Sequence, residues 1–159
     1  MPAPLHTEAA FEAALEASLL TAGGYAPLPA ASYDAATALF PGEVLAFWQD
    51  TQPQAWQQSQ KIHGPQAAAK LLARLHKELE LRGALDVLRH GITDLGVKYQ
   101  LAYFRPETSL NPDTEARYQA NRLGLTRQLY YGTAHKKSLD VVLSLNGLPL
   151  VTMELKNPL

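Results

Sequence analysis

The chain has 159 residues, of which 47% are hydrophobic and 18% charged, and its formal net charge is −1. That is one domain's worth of foldable chain, too apolar to be disordered and without any run near the ~20 apolar residues a membrane span needs. A globally basic nucleic-acid footprint is excluded, and so, with no cysteine, are disulfides and thiolate zinc sites, a composition that fits a reducing cytoplasm.

No basic stretch followed by an apolar run opens the chain, so no signal peptide is expected. Thr7 is placed to cap a helix running to about Thr21, with Phe11, Leu15 and Leu19 as its apolar stripe and Gly23-Gly24 as its stop. Glu8 and Glu12 flank that stripe, Glu16 points further out, and all three can be read as solvated carboxylates. Residues 25–66 are rich in Ala, Pro, Gly and Gln and read as a loop with short helices around 35–40 and 43–49. The aromatics there, Tyr33, Phe40, Phe47, Trp48 and Trp56, are expected in packing. A long helix is predicted over 66–90, broken or bent at Gly83 and ended by Gly91. His76 and His90 lie on it without metal-ligand spacing. A strand over 97–104 follows, then a turn at Asn111-Pro112-Asp113, a short helix over about 114–123 and a strand over 125–131.

The last twenty-two residues carry the chemistry. Two apolar runs, Leu139–Leu145 and Leu148–Leu155, are joined by Asn146-Gly147, the strongest short hairpin signal because both residues tolerate positive φ. Asp140, Glu154 and Lys156 interrupt them. Desolvating an unpaired charge on a half-buried strand costs several kcal/mol, so the charges need compensation. A divalent cation between two carboxylates is one answer. A plain Asp140–Lys156 ion pair on a solvated face is the other. Register decides whether the first is geometrically open. A strict two-residue turn sets Asp140 across from Met153 and turns Glu154 to the other face. A shared cation therefore requires a three-residue loop with Gly147 at a bulge, or an irregularity in one strand.

Asp followed by Glu-x-Lys on the next strand resembles the PD-(D/E)xK nucleases. "LDVVLSLNGLPLVTMELKNP", with "LRHGITDLGVKYQLAYFRP", "ANRLGLTRQLYY" and "TEAAFEAALEASLLTAGGY", is similar to the N-terminal nuclease domain of type I restriction enzyme R subunits, over most of the chain. The resemblance implies an α/β, restriction-endonuclease-like mixed sheet flanked by helices. Within 1–159 it implies a helical elaboration over 25–91 and a sheet with the metal motif over 92–159. It further implies Mg²⁺ held by Asp140, Glu154 and the Leu155 carbonyl, with Glu12 of the first helix a candidate addition. Lys156 then serves catalysis as a compact point charge. Double-stranded DNA is the implied substrate, cut without sequence preference, and methyltransferase and specificity subunits are the implied partners. ATP use belongs to motor domains elsewhere in such R chains, since no G-x-x-x-x-G-K-[ST] loop occurs here. The family pattern continues past the motif into a Gln-x-x-x-Tyr helix, so the domain is expected to be truncated on its C-terminal side. DNA phosphates are expected at Arg127 and Gln128, then at Arg122, Lys136 and Lys137, although solvated surface charge explains these basic residues equally well. Two other classes stay open: a stand-alone PD-(D/E)xK repair nuclease, and a non-catalytic interaction domain whose carboxylates brace the hairpin.

Overall fold

A computed structural model of the chain describes residues 7–132, 134 and 137–156. It divides into two units, Met1–Phe40 with Arg122–Leu159, and Pro41–Asn121.

In the first unit, α1 (Glu8–Thr21) begins as expected, the Thr7 hydroxyl accepting the Ala10 N–H at 3.3 Å. Its core face is Leu15, Leu19 and Leu20, packed on Leu125, Val141 and Leu143. Phe11, expected in that stripe, is 59% exposed. Steps of four residues overshoot a full turn by roughly 40° each, so Phe11 has drifted roughly 80° from Leu19. Glu12 takes the inward place instead, at 7% exposure.

Four strands make a mixed sheet in the order β1-β4-β5-β6, where β1 is Ala26–Pro27, β4 Leu123–Tyr130, β5 Ser138–Leu145 and β6 Leu148–Met153. β1 runs parallel to β4 and the other pairs are antiparallel. This is the mixed α/β arrangement the sequence led us to expect. α1 covers one face; Phe40, Leu28 and Tyr33 cover the other, against Leu129, Leu139 and Val142. No helix forms over 35–40. The Asp34 carboxylate accepts the Ala36 N–H and the Thr37 hydroxyl, and the Asp34 backbone bridges to Leu39, so local turn bonds take the place of a helical ladder.

The hairpin turn is the tight two-residue one, Leu145 pairing with Leu148, with φ of 50° at Asn146 and 86° at Gly147. Asn146 is fully buried because it is also a clamp. Its N–H donates to the Arg122 carbonyl at 2.8 Å and its Oδ1 accepts the Arg122 N–H at 2.7 Å. The Gly147 carbonyl accepts the Phe40 N–H at 2.9 Å.

The second unit holds α2 (Pro41–Thr51), α3 (Pro53–His63), α4 (Ala67–Arg82), α5 (Ala84–His90), the strands β2 (Ile92–Asp94) and β3 (Val97–Tyr99), and α6 (Pro112–Gln119). The break at Gly83 falls as predicted. α3 was not anticipated, its Gln-rich sequence showing little apolar periodicity. The strand predicted over 97–104 stops at Tyr99 and pairs with β2, not with the four-stranded sheet. Gln52 explains the stop: its Oε1 accepts the Gln100 N–H at 2.7 Å and its Nε2 donates to the Gln100 carbonyl at 3.1 Å. Trp48 Nε1 donates to that carbonyl too, at 3.0 Å, so side chains occupy the groups a longer ladder would need. Val44, Phe47, Trp48, Leu71, Leu75 and Val87 are wholly buried. Among the described residues no helix is long and apolar enough to cross a membrane.

Candidate active site at the open end of the hairpin

The hairpin leaves its turn with the pairs Leu145–Leu148 and Ser144–Pro149, then shifts to Leu143–Val151, Val142–Thr152 and Val141–Met153. Leu150 is the extra residue, left without a partner in a bulge. The same offset carried one step further sets Asp140 across from Glu154. A strict pairing from the turn would have set it across from Met153. Of the two departures the sequence allowed, the strand irregularity is the one present, and the turn itself stays tight.

A second irregularity sits on the other side of Asp140. β4 and β5 pair at Arg127–Val141 and at Leu129–Leu139, but the rung between them, Gln128 and Asp140, is missing from the ladder. Gln128 has φ of 50°, a left-handed conformation that costs a residue with a Cβ about 1–2 kcal/mol. Side-chain alternation flips there. Leu125 and Val141 pack toward α1, whereas Leu129 and Leu139 join the cluster on the opposite face. Residues two apart on a regular strand would have shared a face.

The flip delivers Gln128 to the carboxylates. Its Nε2 lies 3.2 Å from Glu12 Oε1 and 3.4 Å from Asp140 Oδ1, and its Oε1 accepts the Ser138 hydroxyl at 3.3 Å. Asp140 is held from the far side by the Leu155 N–H, which donates to Oδ2 at 2.6 Å. One donor from β4 and one from the segment just beyond β6 therefore fix the Asp140 carboxylate. Glu154 and Lys156 follow β6 as exposed side chains.

Arg127, expected at DNA, is taken up by α1. Its Nε donates to Glu12 Oε1 at 3.1 Å and an Nη to Glu16 Oε2 at 2.6 Å. The hydrogen bond to Glu12, and then that to Glu16, holds the guanidinium pKa above its usual value. Glu16 does not point away into solvent, as its helical position suggested. Glu12 and Glu16 are one turn apart and grip the same cation. An i,i+4 acid pair facing a strand arginine was the available signal, and the solvated reading passed over it.

All-oxygen donors stand on three neighbouring elements, Glu12 on α1, Asp140 on β5 and Glu154 beyond β6. Among the described residues no three His, Cys, Asp or Glu side chains converge on a point. The family model of the type I restriction enzyme R protein N terminus matches residues 7–159. The chain belongs to that family.

For an R-protein N terminus, restriction-modification and endonuclease function are the family's business, and DNA and further subunits are what its members work with. No curated protein and no solved structure matches the chain. Of the other residues expected at DNA, Lys137 is exposed and Arg122 is half-buried, with its backbone clamped by Asn146. Lys136 lies outside the described residues. A shallow cavity of ≈360 Å³ between β1 and the Arg127–Glu16 pair is lined chiefly by Pro27, Leu28, Pro29 and Leu125. Asp140 is not among its walls.

Proposed function

We propose that this R-protein N terminus is a Mg²⁺-dependent endonuclease of the PD-(D/E)xK type, cutting double-stranded DNA without sequence readout. In the parent protein, cutting is coupled to ATP-driven translocation, and the methyltransferase and specificity subunits choose the site. The observation that carries the reading is the bulge at Leu150, which shifts the hairpin pairing to Val141–Met153, an offset that, carried one step further, sets Asp140 across from Glu154 and not Met153.

The donor set suits the ion. Mg²⁺ takes oxygen ligands, keeps several waters and needs only one or two carboxylates, so the lack of a three-carboxylate cage is no obstacle. Asp140 and Glu154 would hold it, with the Leu155 carbonyl as a further donor and Glu12 close to Asp140 through Gln128. When bound, it would supply positive charge at the scissile phosphate and lower the pKa of a water.

Hydrolysis adds water to phosphorus, breaks one P–O ester bond and leaves a proton for the departing oxygen. The Leu155 N–H and the Gln128 amide fix the position of the Asp140 carboxylate, so little reorganisation is needed when substrate arrives. Lys156 lies two residues beyond Glu154, one strand repeat along, where its Nζ can balance charge growing on the phosphate. Sequence-independent phosphate contacts fall to exposed cations such as Lys137, because Arg127 is already engaged.

Mn²⁺ or Mg²⁺ titration with a supercoiled-plasmid nicking assay tests the proposal. Asp140→Ala should lose the ion, and Lys156→Ala should keep the ion while cutting at least ~100-fold more slowly. A wild-type chain that binds neither ion, or an Asp140→Ala variant that binds as well as wild type, sinks it and favours the hairpin-bracing alternative.

A further inference from the structure

We infer that Gln128 is a positioning residue for the acidic site, its side-chain amide setting Glu12 and Asp140 against one another before any ion arrives. This rests on the nuclease reading above, and it gives Gln128 a task other than touching DNA.

The backbone carries the first half of the case. The pairs on either side of Gln128, Arg127–Val141 and Leu129–Leu139, keep a single register. The left-handed residue between them therefore inserts nothing into the ladder and corrects no offset. A glycine or asparagine would take φ of 50° at less cost than glutamine. Strained conformations of this kind persist where the surrounding contacts over-determine them, and they cluster at functional sites.

The side chain carries the second half. One Nε2 reaches both Glu12 Oε1 at 3.2 Å and Asp140 Oδ1 at 3.4 Å, while Ser138 fixes the other end of the amide at 3.3 Å. An amide nitrogen has two N–H donors and no net charge. Bridging two carboxylates, it gives each a donor without adding charge of its own, so Asp140 remains available to a cation. Arg127 already pairs with Glu12 Oε1 at 3.1 Å and with Glu16 at 2.6 Å, and the uncharged amide ties that clamp to Asp140 without adding a second cation. Glutamine also has the reach. Asparagine, one carbon shorter, tolerates the backbone but cannot span both carboxylates.

Gln128→Gly and Gln128→Asn test this in the whole chain, since both keep a residue suited to positive φ. Melting, Mn²⁺ binding by calorimetry and plasmid nicking against Mg²⁺ concentration are compared with wild type and with Asp140→Ala. Both variants should melt close to wild type, bind Mn²⁺ about 10-fold more weakly and need about 10-fold more Mg²⁺ for half-maximal cutting, the usual scale for a group that orients a metal ligand. Wild-type Mn²⁺ affinity and wild-type Mg²⁺ dependence in both variants overturn the positioning role and leave the nuclease reading intact, provided Asp140→Ala is inactive. A wild-type chain that neither binds Mn²⁺ nor cuts brings down the nuclease reading, and the role of Gln128 with it.

Discussion

Arg127 occupies the middle of a strand, where a guanidinium has to be matched or expelled. Glu12 and Glu16 match it, and the burial of Glu12 makes the arrangement more than a surface ion pair. Exposed pairs contribute little, but a buried carboxylate stripped of its cation keeps the full desolvation penalty. Arg127→Ala should therefore cost about 1–3 kcal/mol of stability, and Arg127→Ala with Glu12→Gln should recover part of it, because the orphaned charge goes too. Thermal melts of the four proteins in this cycle decide the matter. Weaker DNA binding with an unchanged melting point would instead return Arg127 to the role its sequence context suggested.

At the scale of the element, the hairpin was open to sequence reasoning and the strand before it was not. Asn146-Gly147 announced the turn, and counting from it showed that Asp140 and Glu154 meet only if the ladder slips. Nothing in the side-chain pattern announces a left-handed glutamine in mid-strand, since Leu125, Arg127 and Leu129 look like ordinary alternation. α1 misled for a related reason: residues 11, 15 and 19 form a plausible stripe on paper, yet the packed face is 15, 19 and 20. The Gln-rich α3 is stabilised by context and carries little pattern of its own. The slip itself can be tested by deleting single residues from β6. Without Leu150 the bulge closes, but Leu143 still meets Val151 and Asp140 still meets Glu154, so cutting should survive within about 10-fold. Without Thr152 the bulge stays and every later residue moves back one place, bringing Glu154 opposite Val141 and exchanging its face. That deletion should abolish cutting while circular dichroism still shows a folded sheet. Equal activity in the two deletions would mean that the pairing of Asp140 with Glu154 is irrelevant.

For the whole molecule, the telling fact is where the second unit leaves and rejoins the first. The chain departs after Phe40 and returns at Arg122, and both residues are fastened to the same two-residue turn, Phe40 to the Gly147 carbonyl and Arg122 to the Asn146 backbone and side chain. Eighty-one residues, 41–121, are thus an excursion whose two ends the first unit already holds side by side. An insertion of that geometry adds no topological demand to the sheet that hosts it, and closing a short loop in its place is entropically easier than closing a long one. The acidic site, its positioning glutamine and the Arg127 clamp draw their named residues from 12–16 and 127–156. Joining Phe40 to Arg122 through about six Gly/Ser residues should give a chain that melts cooperatively and binds Mn²⁺ within about 10-fold of the full one, with Asp140→Ala again removing the binding. Buried turn residues are the sensitive point, so Asn146→Ala in the shortened chain should prevent folding, through loss of the clamp on Arg122. A spliced chain that shows sheet content but no cooperative melt would place part of the first unit's stability in residues 41–121 and make the two units one folding entity.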